Sequence, residues 1–262
     1  MRLFEFGDLD VIPDYYHVYL RNYLTFFYKL FGYYKLWVPA FSEFIREVDS
    51  RKFMECCSGA GEALKLVASE LDKKEFEDIE FLLSDIKPHP EFVKKINQSN
   101  DLSFRYIDKA IDVTKIEDDF NYPKIFINSF HHLSVEQVEK IFKVNFDQGN
   151  EIIVMEYVRN TLMGYLSMLM GPIIVFLTLP FVVRLKHLPL MAIFTYLIPL
   201  FPLMMLWDGC VSCLHEYSEK KLTQIVRRLN YSNVNIKASI KRNLFYPAGV
   251  SVIIFTFNSD ES

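Results

Sequence analysis

The chain has 262 residues, enough to bury a sizeable core as one large domain or as one domain carrying an insertion. Its formal charge of −4 gives no electrostatic reason to expect nucleic acid as a partner. The four cysteines form two close pairs, Cys56/Cys57 and Cys210/Cys213, which is not the disulfide framework of a small secreted domain and fits a reducing compartment.

No second Cys or His pair at ligand spacing accompanies 210–213, so no metal is expected there. Arg2, Glu5, Asp8 and Asp10 make a charged start that predicts no cleavable signal peptide. Residues 14–48 predict helix in two pieces broken near Pro39. The first piece is crowded with Tyr15, Tyr16, Tyr19, Tyr23, Phe26, Phe27, Tyr28 and Phe31, and 1–50 reads as an N-terminal aromatic helical cap. Strand and helix signals then alternate: strand 52–57, helix 61–72, strand 79–84, helix 90–96, strands near 103–107 and at 124–128, helix 134–143 and strand 151–156. This alternation implies an α/β core over 51–160, a parallel sheet with helices on its faces. After Tyr157 the pattern stops. Residues 162–183 are 22 positions without a charge and 188–206 are 19 more, separated by Arg184, Lys186 and His187. A helix at 217–229 and strands at 234–241 and 249–257 resume the pattern. Thus 161–206 reads as an apolar helical insertion, and 207–262 as the segment that completes the core with an antiparallel pair.

Open parallel sheets bind ligands at the carboxyl ends of their strands. The first strand ends in Glu55-Cys56-Cys57-Ser58-Gly59-Ala60-Gly61, where glycines permit close backbone approach and the next helix turns free N–H groups toward a ligand. The second ends in Ser84-Asp85-Ile86, whose carboxylate is placed to accept from two ribose hydroxyls. The third connection offers Asp112-Val113, an acid beside an apolar wall that suits an adenine amino group. The fourth ends in Asn128-Ser129-Phe130-His131-His132 and the fifth in Glu156. Each has a plainer reading: an ordinary tight turn for the glycine loop, turn capping for Asp85, a solvated charge for Asp112, and a cap near Ser134 for the histidines. Arg21 reads as a surface ion pair before it reads as a clamp on a cofactor carboxylate.

Glu55-x-Cys57-x-Gly59-x-Gly61 resembles the first motif, acid-x-Gly-x-Gly-x-Gly, of the class I S-adenosylmethionine-dependent methyltransferases, with Cys57 at the first glycine position. Asp85, Asp112 and Asn128-Ser-Phe-His-His match the family's later strand ends, and the resemblance covers roughly 50–160 and 207–258. It implies a Rossmann-like, mostly parallel seven-stranded sheet whose last strand inserts between two others. It also implies S-adenosylmethionine as cofactor, held by Glu55, Cys57, Ser58, Gly59, Gly61, Asp85, Ile86, Asp112, Val113, Asn128 and Ser129. The segment from Trp207-Asp208-Gly209 to Leu214, with Tyr217, resembles a bacterial subgroup with an apolar insertion. Methyl transfer from a sulfonium is an in-line displacement in which positioning supplies roughly 7–11 kcal/mol in ideal cases. A base is needed only where the acceptor starts protonated. His131 or His132 is then the candidate, a typical base contributing about 10²–10⁴-fold. A non-catalytic binder that keeps the fold is the alternative, favoured by Cys57. A nicotinamide-dependent oxidoreductase is disfavoured, because the loop lacks Gly-x-Gly-x-x-Gly spacing.

The two apolar runs would make helices of about 33 and 28 Å, near the hydrocarbon thickness of a bilayer. Pro172, Pro180, Pro189, Pro199 and Pro202 are expected to break or kink them. A plain crossing also carries Arg184, Lys186 and His187 away from a cytosolic domain, against the positive-inside tendency. Three readings stand: a kinked hairpin dipping into one leaflet, a two-pass span, and a soluble lid or dimer interface. The first places the chain at the cytoplasmic face of a membrane, with lipid as partner and the tyrosine-rich first helix at the same interface. Placed after the fifth strand, the insertion is expected to roof the acceptor, which suits a small hydrophobic substrate, with Tyr19, Trp207 and Asp208 as candidate contacts.

Overall fold

The computed structural model describes all residues except 1, 73, 75, 102, 116–119 and 258–262. Its α-helices are α1 (Asp14–Phe31), α2 (Val38–Glu47), α3 (Glu62–Ala68), α4 (Pro90–Asn97), α5 (Val135–Asp147), α6 (Leu162–Val182), α7 (Leu188–Ala192), α8 (Leu200–Leu214) and α9 (Glu219–Arg228). The strands are β1 (Lys52–Cys56), β2 (Glu80–Leu83), β3 (Phe104–Tyr106), β4 (Lys124–Ile127), β5 (Ile152–Glu156), β6 (Val234–Asn243) and β7 (Tyr246–Phe257). They fall into two units. One contains Tyr34–Tyr157, Tyr217–Lys241 and Val250–Ser262; the other contains Met1–Tyr33, Val158–Glu216 and Arg242–Gly249.

The first unit is built on a seven-stranded sheet of order β3-β2-β1-β4-β5-β7-β6. The pairs β1–β2, β1–β4, β2–β3 and β4–β5 are parallel, and β5–β7 is antiparallel. This is the Rossmann-like sheet the resemblance implies, with β7 inserted between β5 and β6. The order reverses at β1 and β4, whose carboxyl ends therefore lie side by side at the topological switch point. Both Lys-Ile-Phe-Ile of β4 and Ile-Ile-Val-Met-Glu of β5 are buried along their whole length, because helices cover both faces of a parallel sheet. On one face Phe41 and Phe44 of α2 pack with Phe53, Phe81 and Phe104 of the strands, at ring separations of 5.1–6.1 Å. On the other, Phe142 and Phe146 of α5 and Leu222, Ile225 and Val226 of α9 cover Phe126, Val154 and Phe255. Helix α5 starts at a capping box: Ser134 Oγ accepts from Gln137 N and Gln137 Oε1 accepts from Ser134 N.

The second unit packs Tyr16, Tyr19 and Tyr23 of α1 against Val175 and Leu179 of α6, Met191 of α7 and Phe201, Met204 and Met205 of α8. These tyrosines are buried against neighbouring helices. Both ends of the insertion meet at a buried ion pair: Arg159 Nε lies 2.6 Å from Glu216 Oε1, and Asn160 N donates to Glu216 Oε2 at 2.5 Å.

Three local expectations are corrected. The break in 14–48 falls at Gly32, which caps α1 at φ 62°, whereas Pro39 sits in the first turn of α2, where its missing N–H costs nothing. Helix α6 runs through Pro172 and Pro180, since one lost hydrogen bond per proline leaves the rest of a 21-residue ladder intact. The second arm does break: Leu185–Leu197 and Leu200–Leu214 meet at 73°, at Pro199. Neither the boundary expected at 206/207, which lies inside α8, nor the cap expected to end at 50 matches a unit boundary: α2 belongs with the sheet.

Candidate active site

At the end of β1 the chain enters left-handed conformations at Cys57 (φ 58°), Gly59 (φ 55°) and Gly61 (φ 69°). The two glycines adopt them freely, whereas Cys57 bears local strain. Gly61 has a second reason to be glycine: a Cβ there would stand 2.3 Å from Leu83 Cδ2. The loop is braced from three sides. Asp85 Oδ2 accepts from Gly59 N at 2.9 Å, Tyr106 Oη donates to Gly59 O at 2.9 Å, and Ser58 Oγ donates to Glu55 O and accepts from Ser84 N. Asp85 Oδ1 accepts from Lys87 N, so the carboxylate caps its own turn as well as holding the glycine loop. Ile86 beside it is exposed.

The groups at the strand ends differ in burial and in partners. Burial pushes the Cys57 thiol well above its ordinary pKa, and repulsion from Cys56, Asp85, Glu55 and Asp112 adds to the effect. Glu55 is 2% exposed, and its Oε2 is buried without a hydrogen-bond partner. Burial raises its carboxyl to about 8, opposed by the Ser58 hydroxyl and reinforced by Asp85. Asp112 caps a turn of its own, accepting from Thr114 N and Thr114 Oγ1, with Lys115 3.6 Å away. Its carboxyl is held below the ordinary value: these bonds and Lys115 outweigh the opposing effect of desolvation. Val113 beside it is buried.

At the end of β4, Asn128 takes φ 50° and its Oδ1 accepts from Tyr157 N at 2.7 Å. The strained residue thereby ties the β4 end to the β5 end. Glu156 completes the tie. Its Oε1 accepts from Ser129 N and Phe130 N, and its Oε2 lies 2.6 Å from His131 Nδ1, both side chains being almost fully buried. A carboxylate on Nδ1 favours the tautomer with the proton there. His132 is exposed, its ring 4.2 Å from that of His131. Ser129 Oγ is buried without a partner.

Glu156 is the residue to which the sequence reading gave no role. It was legible as a fifth strand-end acid, but its partners lie 25–27 positions earlier in the chain. Tyr106 left no signal, because a tyrosine inside a strand reads as core. Tyr19, Trp207 and Asp208 belong to the other unit and serve it. Tyr19 Oη lies 2.6 Å from His187 Nδ1, Trp207 Nε1 donates to Phe4 O, and Asp208 accepts from Phe6 N, Gly7 N and Tyr16 Oη. Their polar atoms hold the N-terminal segment and the hairpin turn.

No protein-family model and no curated protein matches the chain. Among solved structures it is similar to the plantazolicin methyltransferase BpumL in complex with a triazolic desmethylPZN analog and SAH. The TM-score is 0.52 and the identity 10%, over 86% of this chain and 85% of that one. The same enzyme with a pentazolic analog and SAH gives 0.50 and 8%, over 90% and 86%. The methyltransferase domain of bacterial CtHen1 gives 0.49 and 13%, over 85% and 98%. The chain has the class I methyltransferase fold.

Proposed function

We propose that the chain is an S-adenosylmethionine-dependent methyltransferase whose acceptor is a small lipophilic molecule with a nucleophile that starts protonated. The observation that carries the reading is the glycine loop after β1, whose Gly59 N–H is held at 2.9 Å by Asp85 from the end of the neighbouring strand β2, beside the switch point of the sheet. The residues fit the cofactor. Each Asp85 oxygen keeps a lone pair beyond its backbone bond and would take the ribose hydroxyls. Asp112 and Val113 would flank the adenine, and the unpartnered buried Oε2 of Glu55 suits the cationic end. When bound, the cofactor supplies a methyl group already activated on sulfur.

The chain's own work is then positioning and proton removal. Glu156 orients the His131 ring through Nδ1, and its carboxylate would stabilise an imidazolium formed there when the acceptor gives up its proton. Such a pair has a use only where the acceptor nucleophile carries a proton, as a phenol, enol or alcohol does. The lipophilic acceptor is supported by the apolar composition of 162–206.

Calorimetric titration with S-adenosylmethionine and with its demethylated product tests the cofactor. We expect binding of both, weakened by about 1.5–3 kcal/mol in Asp85→Ala, which loses charge-assisted bonds to two hydroxyls. No heat with either compound would leave the chain a methyltransferase fold without the activity. Binding without turnover on any lipophilic hydroxyl acceptor would favour the non-catalytic binder, which the strained Cys57 at the motif glycine position supports.

A further inference from the structure

The helical unit carries a continuous apolar face that its own core does not use. Along α6 the side chains of Leu162, Leu166, Leu169, Ile173, Leu177 and Phe181 follow one another at steps of three and four. All are exposed, rising to 71% at Leu177 and 85% at Phe181. Leu185, Leu197 and Leu203 continue the face beyond the turn at 77%, 82% and 56% for Leu197, Leu185 and Leu203 respectively. A contiguous patch of this kind on a soluble surface marks an interaction site. The turn that follows α6 bears exposed Arg184 and Lys186, and no Asp or Glu lies anywhere between Tyr157 and Trp207.

We infer that this face docks in plane into one leaflet of an anionic lipid bilayer, with Arg184 and Lys186 at headgroup level, and does not cross it. Alone, α6 is long enough to cross: 21 residues rise about 31 Å. Three features of the unit oppose a crossing. The second arm is no straight span, since it bends by 73° at Pro199. The ion pair Arg159–Glu216 brings both ends of the insertion together, so any crossing must be a hairpin with 184–187 on the far side. Moreover, α1 lies along that hairpin as far as its turn, where Tyr19 Oη meets His187 Nδ1 at 2.6 Å. A crossing hairpin would pull α1 into hydrocarbon together with Asp14, His17, Arg21, Asn22 and Lys29. Docked in plane, α1 stays on the water side while the leucine stripe enters the acyl boundary, and the basic turn meets anionic headgroups.

The membrane contact stands apart from methyl transfer and is tested without it. The full chain is mixed with phosphatidylcholine vesicles with and without phosphatidylglycerol, and flotation is measured. Binding is expected to be strong on the anionic vesicles and weak on the neutral ones. Arg184→Gln and Lys186→Gln are each expected to weaken it about fivefold. Leu177→Glu/Phe181→Glu, at positions too exposed to matter for folding, is expected to abolish it with an unchanged circular dichroism spectrum. A membrane-impermeant amine reagent added outside sealed vesicles is expected to label Lys186. Protection of Lys186 until detergent is added would show a crossing and overturn the inference. Absence of flotation from a folded chain would overturn it as well, and concentration-dependent self-association lost in Leu177→Glu/Phe181→Glu would then identify a second copy as the occupant.

Discussion

Glu55 is the side chain whose charge state the fold controls most directly. Burial raises its carboxyl from an ordinary 4.5 to about 8, so the folded protein keeps a proton that the unfolded chain releases near pH 4.5. The contribution to stability is fully present below 4.5 and is lost as pH rises to about 8. Thermal melts of the wild type should therefore fall across this window, whereas Glu55→Gln should melt on a flatter curve and be the more stable protein at pH 8. A parallel pair of curves would remove Glu55 as the cause. If a cationic cofactor sits beside this carboxyl, its binding should expel the proton, giving calorimetric heats that vary with the ionisation enthalpy of the buffer. Glu156 makes the opposite kind of prediction. It satisfies two backbone N–H groups and His131, so Glu156→Gln should cost about 1–3 kcal/mol of stability. In an active preparation it should also lower kcat and displace the pH profile, while His131→Asn should lower kcat by about 10²–10⁴-fold with cofactor affinity unchanged. An unaltered pH profile in both variants would take the dyad out of the chemistry. Acids at strand ends were legible in the sequence because their chemistry is written in a single residue. The dyad was not, because it exists only after β4 and β5 pair.

Elements of the sheet were legible for a related reason. Parallel strands buried on both faces must be short apolar runs, and 52–56, 80–83, 124–127 and 152–156 read as such at once. Their ends were placed to within a residue or two, except where capping decides. Helix α3 stops at Ala68, three residues before its apolar pattern does, and β6 and β7 extend until only two residues join them. The proline signal held at Pro199 and overstated the breaks elsewhere. At Pro39 it suggested a break where an N-terminal turn tolerates the ring, and at Pro172 and Pro180 it suggested breaks in a helix whose remaining hydrogen bonds persist. The insertion's anchorage belongs to this scale too. Arg159 and Glu216 are buried, only 11% and 8% exposed, so Glu216→Gln leaves a guanidinium without its charge partner. Removing one partner of a buried pair costs about 3–5 kcal/mol. Limited proteolysis should then open the segment 158–216 while the sheet resists; unchanged cleavage would mean the pair is dispensable.

At the scale of the whole molecule, the sequence order conceals the division of labour. The candidate cofactor residues, the dyad and the phenylalanines on both faces of the sheet belong to one unit; the leucine stripe, the basic turn and the tyrosine-rich core of α1 belong to the other. Helices α1 and α8, at opposite ends of the sequence order of this unit, share a core that only coordinates reveal. The second unit also takes the tip of the last hairpin, 242–249, where Tyr246 meets Tyr33 at 4.5 Å between ring centroids. A chain ending at Lys241 lacks β7, the strand that joins β5 to β6, and should show no cooperative melt; a sharp transition in that fragment would mean that β7 is an accessory. The interleaving has a consequence for biosynthesis. The main chain passes between the units at 33/34, 157/158, 216/217, 241/242 and 249/250, so neither is a separable stretch of the gene. The greasy arms leave the ribosome well before the closing strand is made, and the nascent polypeptide needs shelter during that interval, from a chaperone or from the lipid surface itself.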